Sequence, residues 1–499
     1  MFNVVSLYRF IEIIPGVLVW LTFGLIFFVS AKFPFVATVF LLLYSLFWFV
    51  RIVYLYVHLR VTFGWVRDNL KITWLDKIKE MGRQNGKSWQ ELYHLVILPM
   101  YKEPINVVQE TFEVLLKCNY PKEKLIVVLA TEESGGEEAK ITARKIEERF
   151  GFSFLRFLTT SHPQNLPDEI PGKGSNETWA ARASQKLIDE LKIPYEDVIV
   201  SVFDIDTQAF PEYFGRLSYL FLTSPYPLRS SYQPVPLFIN NIYDAPIFSR
   251  VMSFFPTFWQ MMQQSRPEQL TTFTSQAMPL KALVDVDFWD TNLVSEDSLI
   301  FWKFYLHYNG DWRAIPMHYP VSLDANAAPT IWETAKNLYK QQRRWAWGTE
   351  NIPYMITGFL KNKKIPLRDK IKWSLIFGEG FYSWPTTPFI LFTLNWLPLI
   401  LGGYDFNQTV LSYNLPKTIG IILNLATISL VASALVSTAL LPPKPVWFRK
   451  RHYVVYFLQW FLVPILTIIF SAIPAIESQT RMMLGGKFRL GFWPTPKNR

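Results

Sequence analysis

Apolar residues in this chain are gathered into long blocks. Two charge-free runs open it, at about 13–31 and 33–50. Each is close to the roughly 20 residues that cross a bilayer as a helix. Only Lys32-Phe33-Pro34 separates them, so the pattern predicts a hairpin of two spans. The first run is long for the core of a cleaved signal peptide, and the second follows at once, so both read as retained. Three more blocks close the chain, at about 381–404, 418–443 and 453–476. Arg51, Arg60, Arg67, Lys71, Lys77 and Lys79 follow the second span, which places that side in the cytosol. The neutral loop 405–416 is predicted outside and the basic loop Lys444 to His452 inside. Five simple spans would leave the C-terminal tail outside, yet Arg481, Lys487, Arg489, Lys497 and Arg499 argue for inside. Either 371–380 contributes to a sixth crossing, or the last block, broken by Pro464 and Pro474, is re-entrant.

Between the blocks the texture changes. Leu95–Leu98 and Leu125–Leu129 are short apolar runs that predict buried strands, Phe154–Leu158 a third, and Val198–Phe203 a fourth. Amphipathic stretches from Ile105 to Leu116, Glu137 to Phe150 and Asn176 to Leu191 predict helices between them. Strands alternating with helices predict an α/β fold with a mostly parallel sheet, inserted between transmembrane helix blocks. The predicted layout is an N-terminal transmembrane hairpin (1–60), a cytosolic domain (61–365) and a C-terminal transmembrane region (366–499). Two later helices, 246–264 and 331–350, combine aromatics with few charges or with basic residues. Both are expected at the membrane interface, with ordinary core helices as the alternative.

Composition changes the picture in three places. Half of the 499 residues are hydrophobic and 17% are aromatic, which suits a membrane protein. The net charge of +10, in a chain with spans, points to anionic membrane lipids as a partner and not to nucleic acid. The single cysteine, Cys118, excludes an intrachain disulfide and suits a reducing compartment. The histidines show no metal-ligand spacing, so zinc is not expected. Gly172-Lys-Gly174 lacks the context of a dinucleotide site, and no Walker lysine pattern is present.

Three polar motifs carry candidate chemistry. Asp204-Ile205-Asp206 follows the fourth predicted strand, and ligands in such sheets sit beyond the carboxyl ends of strands. Two carboxylates there can hold a divalent cation on a diphosphate, with Ile205 turned into the core. Glu296-Asp297 opens a predicted helix (297–309), and Asp297 can serve as a general base. Gln341-Gln-Arg-Arg344-Trp345 is a rarer run. Taken singly these are a loop carboxylate pair, an acidic helix start and an amphipathic helix. Their order, at spacings of about 90 and 45 residues, is what singles them out.

In this the chain resembles the processive family 2 glycosyltransferases, which include cellulose, chitin and hyaluronan synthases. The resemblance covers about 93–350 and the flanking spans. The motifs D-x-D, T-E-D and Q-x-x-R-W read here as Asp204-Ile-Asp206, Ser295-Glu-Asp297 and Gln341-Gln-Arg-Arg344-Trp345. Pro99-Met-Tyr101-Lys-Glu103 is similar to the family's opening P-x-Y-x-E, which lies beside the nucleobase. Gly172-Lys173-Gly174-Ser-Asn176 looks like its nucleotide-contacting lysine region. The resemblance implies a GT-A-type domain, a plasma-membrane (inner-membrane), multi-pass location with the catalytic domain cytosolic, and Mg²⁺ or Mn²⁺ as cofactor. It implies Asp206 and Asp204 as metal ligands, Asp204 also contacting the nucleotide, and Asp297 as base. It implies Pro99, Tyr101, Glu103 and Lys173 as donor-binding residues. Trp345 would stack on the acceptor sugar, and Gln341 and Arg344 would contact the diphosphate. The implied reaction is an inverting transfer from a nucleotide sugar, a UDP-sugar, to a growing β-linked glycan.

The chain departs from that pattern. Where the family has an aspartate after the second strand, this chain has Ala130-Thr-Glu132-Glu133, so Glu132 takes that donor-binding place. Ser295 stands for threonine, and Thr274-Ser-Gln-Ala277 lacks the cysteine-containing motif of cellulose synthases. Two other readings remain open at this point. One is transfer of a single sugar to a lipid or lipid-linked acceptor. The other is a non-catalytic transport component, which would place ionisable residues inside the spans.

Overall fold

The computed structural model describes residues 4–497; Arg499, counted above in the basic tail, lies outside them. Its centre is an eight-stranded sheet: β1 (Tyr93–Met100), β2 (Leu125–Glu132), β3 (Arg156–His162), β4 (Val198–Val202), β5 (Gln208–Ala209), β6 (Ser230–Phe238), β7 (Ala277–Pro279) and β8 (Arg313–Leu323). The spatial order is β3-β2-β1-β4-β7-β6-β8-β5. The first four are mutually parallel. The short β7 runs antiparallel to both β4 and β6, while β6 and β8 are parallel to each other. The expected α/β layout with a mostly parallel sheet between membrane blocks is therefore present. In β1, β2 and β4 nearly every side chain is buried, because helices cover both faces of a parallel sheet.

Two differences from the sequence reading have a physical cause. The third strand begins at Arg156 and runs to His162, later than the apolar run at Phe154–Leu158. β6 and β8 were not foreseen, because each carries two prolines: Pro234 and Pro236, Pro316 and Pro320. Proline removes a ladder donor and normally argues against a central strand. Here the pairing shifts register between Gln233 and Val235. The Gln233 side chain fills the gap, donating to Thr274 O at 3.1 Å and accepting from Phe273 N at 2.7 Å.

Among the described residues four helical stretches are long and apolar enough to cross a membrane: Ser6–Lys32, Pro34–Asn69, Val410–Leu440 and Lys450–Leu484. The second continues well past residue 60, into the start of the expected soluble domain. The block expected at 381–404 is not one span. A helix Leu367–Phe392 is followed by short pieces, and its first half carries Arg368, Asp369, Lys370 and Lys372. Even so, it runs the length of the hairpin. Trp373 is in the core of the α/β domain, whereas Ile390 and Leu397 pack with Ile26 and Leu41. A Cβ on Gly402 would lie 2.8 Å from Pro34, at the turn of the hairpin.

The Lys450–Leu484 stretch behaves differently. It is helical throughout but passes through 3-10 and π turns around Pro464 and Pro474, as kinked helices do. It keeps hold of the α/β domain along its length. Gln459 accepts from Arg250 at 3.1 Å, Phe470 stacks on Phe248 at 5.3 Å, and Glu477 accepts from Arg343 at 2.6 Å. It also packs on the first span, where Trp20 donates to Thr480 at 2.9 Å. The tail that follows it ends against the α/β domain, where Lys497 lies 2.7 Å from Asp206.

The two helices expected at the interface sit between sheet and spans. In Ile247–Gln264, Val251, Phe254, Phe258 and Met261 are buried together with Leu59, Val235 and Trp460. In Ile331–Ala346, Ile331 and Trp332 are exposed and Leu338 is buried.

Leu98, fully buried at the middle of β1, reports on the sheet. Leu98→Ala should cost about 2–5 kcal/mol and lower the melting temperature of the detergent-solubilised protein by several degrees, while the fully exposed Phe152→Ala leaves it unchanged.

Candidate active site

The carboxyl ends of β1, β2 and β4 deliver the expected residues to one edge. After β4, Ile205 is 2% exposed in the core, its carbonyl taking the Thr111 hydroxyl at 2.7 Å. That anchor turns Asp204 and Asp206 to the opposite side from the Ile205 side chain, toward Thr274 and Asp324. Asp204 Oδ2 accepts from Thr274 Oγ1 at 2.8 Å. Asp206 is fully buried, and its Oδ2 accepts the Asp324 N–H at 2.9 Å. Asp297, second residue of the helix Glu296–His307, is placed by its carbonyl, which takes Thr272 Oγ1 at 2.7 Å and Gln276 Nε2 at 2.8 Å.

Lys173 joins these groups. It opens the helix Lys173–Glu190 and is 8% exposed. Its ammonium lies 2.9 Å from Asp204 Oδ1 and 3.0 and 2.8 Å from the two oxygens of Asp297. Glu177 and Glu296 stand 3.5 and 3.6 Å away. Gly174 allows this approach, since a Cβ there would meet Glu296 Cβ at 3.1 Å. Burial works against the lysine's charge, but Asp204, Asp297, Glu177 and Glu296 outweigh it and hold its pKa well above the usual value. Burial also works to raise Asp204, but Lys173, Lys497 and Thr274 hold it below the carboxylate range. Glu296 is raised, by burial first and by Asp297 next.

The other expected residues line the same edge. Glu103 turns back to accept the Tyr101 N–H at 2.7 Å, and burial raises its pKa. Pro99 is the penultimate residue of β1. Glu132 ends β2 one strand away and takes the Ser134 hydroxyl at 3.0 Å. Its loop packs on the Tyr101 loop, where a Cβ on Gly135 would fall 2.6 Å from Tyr101 O. Gln341, Arg344 and Trp345 share one face of the Ile331–Ala346 helix, as the helical period requires. Trp345 lies between Phe238 and Phe273, with ring centroids 5.9 and 6.3 Å away. The neighbouring Arg343 points away, to Glu477.

Four residues that sequence reasoning missed complete the site. Glu350 is buried, and one oxygen accepts from Val294 N, Ser295 N and Ser295 Oγ at 2.7–2.9 Å, fixing the turn before Asp297. Asp324 and Asn326 follow the proline-bearing β8 and line a narrow cleft with Gln341 and Trp345. Both polar atoms of the buried Asn326 amide lack a hydrogen-bond partner. Lys497 was read only as part of a basic tail. Its ammonium lies 2.7 Å from Asp206 Oδ2, and the tail reaches there by laying Phe492 under Arg344, 5.1 Å away, and against Gly172. A glutamate five residues after the tryptophan motif, and a lysine in an aromatic, proline-rich end, were the available signals.

Among the described residues no cluster of three or more histidine, cysteine or acidic side chains is placed to hold a metal. Asp204 and Asp206 still fit a divalent cation, which takes hard oxygen donors and completes its shell from water and phosphate. Each carboxylate already faces a cation, the ammonium of Lys173 or of Lys497.

No family model matches the chain. A stretch of 90 residues, 17% of the chain, is 33% identical to the poly-β-1,6-N-acetyl-D-glucosamine synthase of Staphylococcus aureus strain COL, and the same holds for that of strain MSSA476. The match spans about a fifth (19%) of the length of those relatives. Among solved structures, the chain is similar to the mannosyltransferase PcManGT from Pyrobaculum calidifontis in complex with GDP-Man and Mn²⁺, at 16% identity and a TM-score of 0.40, covering 83% of this chain and 97% of that one. It is also similar to residues 1–349 of S. aureus TarS in complex with UDP-GlcNAc, at 13% identity and a TM-score of 0.36, covering 68% of this chain and 90% of that one.

The Lys173 cluster predicts a pH-dependent stability difference. With its pKa held low, Asp204 contributes stability above the unfolded value of 3.8 that is lost only in strong acid. Without the ammonium the carboxylates repel, and the folded state gains by taking up protons. Lys173→Met should therefore destabilise by up to about 3 kcal/mol, with a larger drop in melting temperature at pH 8 than at pH 5. A drop independent of pH would show that the cluster is not coupled through charge.

Proposed function

We propose that this protein is a membrane-embedded, inverting glycosyltransferase that takes a sugar from a nucleotide-diphosphate donor and elongates a β-linked polysaccharide. The observation that carries the reading is the convergence of Asp204 and Asp297 on one point, Lys173 Nζ, within 3.0 Å. A candidate metal ligand and a candidate base from distant parts of the chain thus meet at the carboxyl edge of the sheet, where such folds bind ligands. The similarity of one stretch to a polysaccharide synthase supports it. So does the side-by-side placement of Trp345 and Gln341 along the cleft.

In this reading Pro99, Tyr101, Glu103 and Glu132 hold the nucleoside, and Lys173, Gln341 and Arg344 hold the diphosphate. Asp204 and Asp206 hold Mg²⁺ or Mn²⁺, which when bound neutralises the charge that builds on the departing diphosphate. Trp345 stacks on the acceptor sugar and keeps its hydroxyl behind the anomeric carbon. Asp297 takes the proton from that hydroxyl. The hydroxyl oxygen bonds to the anomeric carbon as the bond to the diphosphate oxygen breaks, and the configuration inverts. Lys173 lies between the diphosphate site and the base, so moving onto the diphosphate would free Asp297 to accept its proton. In this reading the α/β domain faces the cytosol of a plasma-membrane protein; the basic residues after the second span support the cytosolic side.

The test is to supply detergent-solubilised protein with a panel of nucleotide sugars and Mg²⁺ or Mn²⁺, with and without lipid extract. Nucleotide release and product size are then measured. A long product is expected, and Asp297→Asn should cut its formation by about 10²–10⁴-fold while donor binding stays intact. A product bearing one sugar and dependent on lipid would move the protein to the lipid-glycosylating reading. Asp206→Ala should abolish the metal-dependent part of donor binding, measured by calorimetry with and without Mn²⁺; unaffected binding would place the metal elsewhere.

A further inference from the structure

A second large feature lies away from this site. Where the α/β domain meets the last membrane helices there is a cavity of about 480 Å³. That is within the roughly 300–1,000 Å³ of ligand pockets. Its walls are apolar and aromatic: Phe254 from the domain's Ile247–Gln264 helix, with Leu441, Phe448, Phe457 and Trp460 from the closing membrane region. None of its lining residues is acidic, and one, Lys444, is cationic. The Lys444 ammonium donates to the Tyr453 hydroxyl and sits 4.5 Å over that ring. Arg449, Lys450 and Arg451, all exposed, follow at the start of the helix Lys450–Leu458. Arg250 backs the wall, 4.3 Å from the Tyr456 ring, while Asp244 is the acidic neighbour of that tyrosine.

The depth of the cavity is also defined. Tyr243, just past β6, donates to Pro442 O at 2.9 Å, directly after the Val410–Leu440 helix returns to the domain. The basic rim therefore stands level with the domain-facing ends of the spans, where lipid headgroups lie. The exposed Trp447 and Tyr453 flank it, as aromatics do at membrane interfaces.

We infer that this cavity is a binding site for an anionic phospholipid, with an acyl chain along Phe254, Leu441, Phe457 and Trp460 and the phosphate at Lys444 and the Arg449–Arg451 run. Charge complementarity selects the anionic headgroup. The apolar walls select a lipid over a free phosphate, which would gain nothing from them. The site does not depend on the proposed transfer reaction and contributes no residue to it.

The test uses the full chain in detergent, followed by thermal melting and native mass spectrometry. Phosphatidylglycerol, phosphatidylcholine and glycerol 3-phosphate are compared. Phosphatidylglycerol should raise the melting temperature and persist as a one-to-one adduct, and the other two should do neither. Lys444→Gln, at an exposed position, should weaken phosphatidylglycerol binding roughly fivefold. Leu441→Trp fills the cavity without changing charge and should remove the adduct. Without lipid, Lys444→Gln should melt as the parent does. Equal stabilisation by phosphatidylcholine, a shift with glycerol 3-phosphate, or an adduct undiminished in Lys444→Gln would overturn the inference.

Discussion

One ammonium group, Lys173 Nζ, sets the geometry of the candidate site. It lies within 3.6 Å of four carboxylates, those of Asp204, Asp297, Glu177 and Glu296, of which the two glutamates are buried. Like charges so close together would push their helices and loops apart, and a buried ion left without a partner is costly. The lysine therefore fastens three segments at once: the loop after β4, the start of the Glu296–His307 helix and its own helix. Lys497 repeats the device on the other side, holding Asp206 from the far end of the chain. The metal candidates are thus bound by cations that come from opposite directions, one from the sheet domain and one from the tail.

The membrane region is joined to this site rather than merely attached beside it. The helix carrying Gln341, Arg344 and Trp345 uses its other face to hold the closing stretch, through Arg343 and Tyr339 on Glu477. Gln479 in that stretch donates to Phe381 O at 2.7 Å, on the helix that leads away from the domain. At the other end of the chain, Arg9 donates to the carbonyls of Met482 and Met483. The spans and the helix bearing Trp345 are thus joined by packed, hydrogen-bonded contacts.

The sequence made the first half of the sheet legible because β1, β2 and β4 are apolar runs of strand length at the expected spacing. The second half was hidden by prolines in β6 and β8, whose cost is met by the Gln233 side chain, a long-range arrangement that no local pattern reveals. The motif residues were legible as candidates, since D-x-D, the acidic pair and the tryptophan run stand in order. Their mutual distances were not. Lys173, expected to bind the donor, stands between Asp204 and Asp297. Glu350, Asp324, Asn326 and Lys497 act through tertiary contacts between distant segments, and only the spacing of Glu350 after the tryptophan motif and the aromatic, proline-rich setting of Lys497 gave a local sign. The block at 381–404 was misplaced for a related reason, since its helix begins at Leu367 among charged residues and ends at Phe392. Hydropathy marks 450–484 as apolar, but not that it is tied to the α/β domain by Arg250, Phe248 and Arg343.

The central claim is that the carboxylates gathered by Lys173 and Lys497 form a site for a nucleoside diphosphate and its cation. The most direct measurement is a cryo-EM structure of the protein in lipid nanodiscs with a nucleotide diphosphate and Mn²⁺. The account predicts nucleotide density along the ends of β1, β2 and β4, cation density at Asp204 and Asp206, and the ammonium of Lys497 moved off Asp206. Nucleotide bound elsewhere, with Asp206 still paired to Lys497, would contradict it.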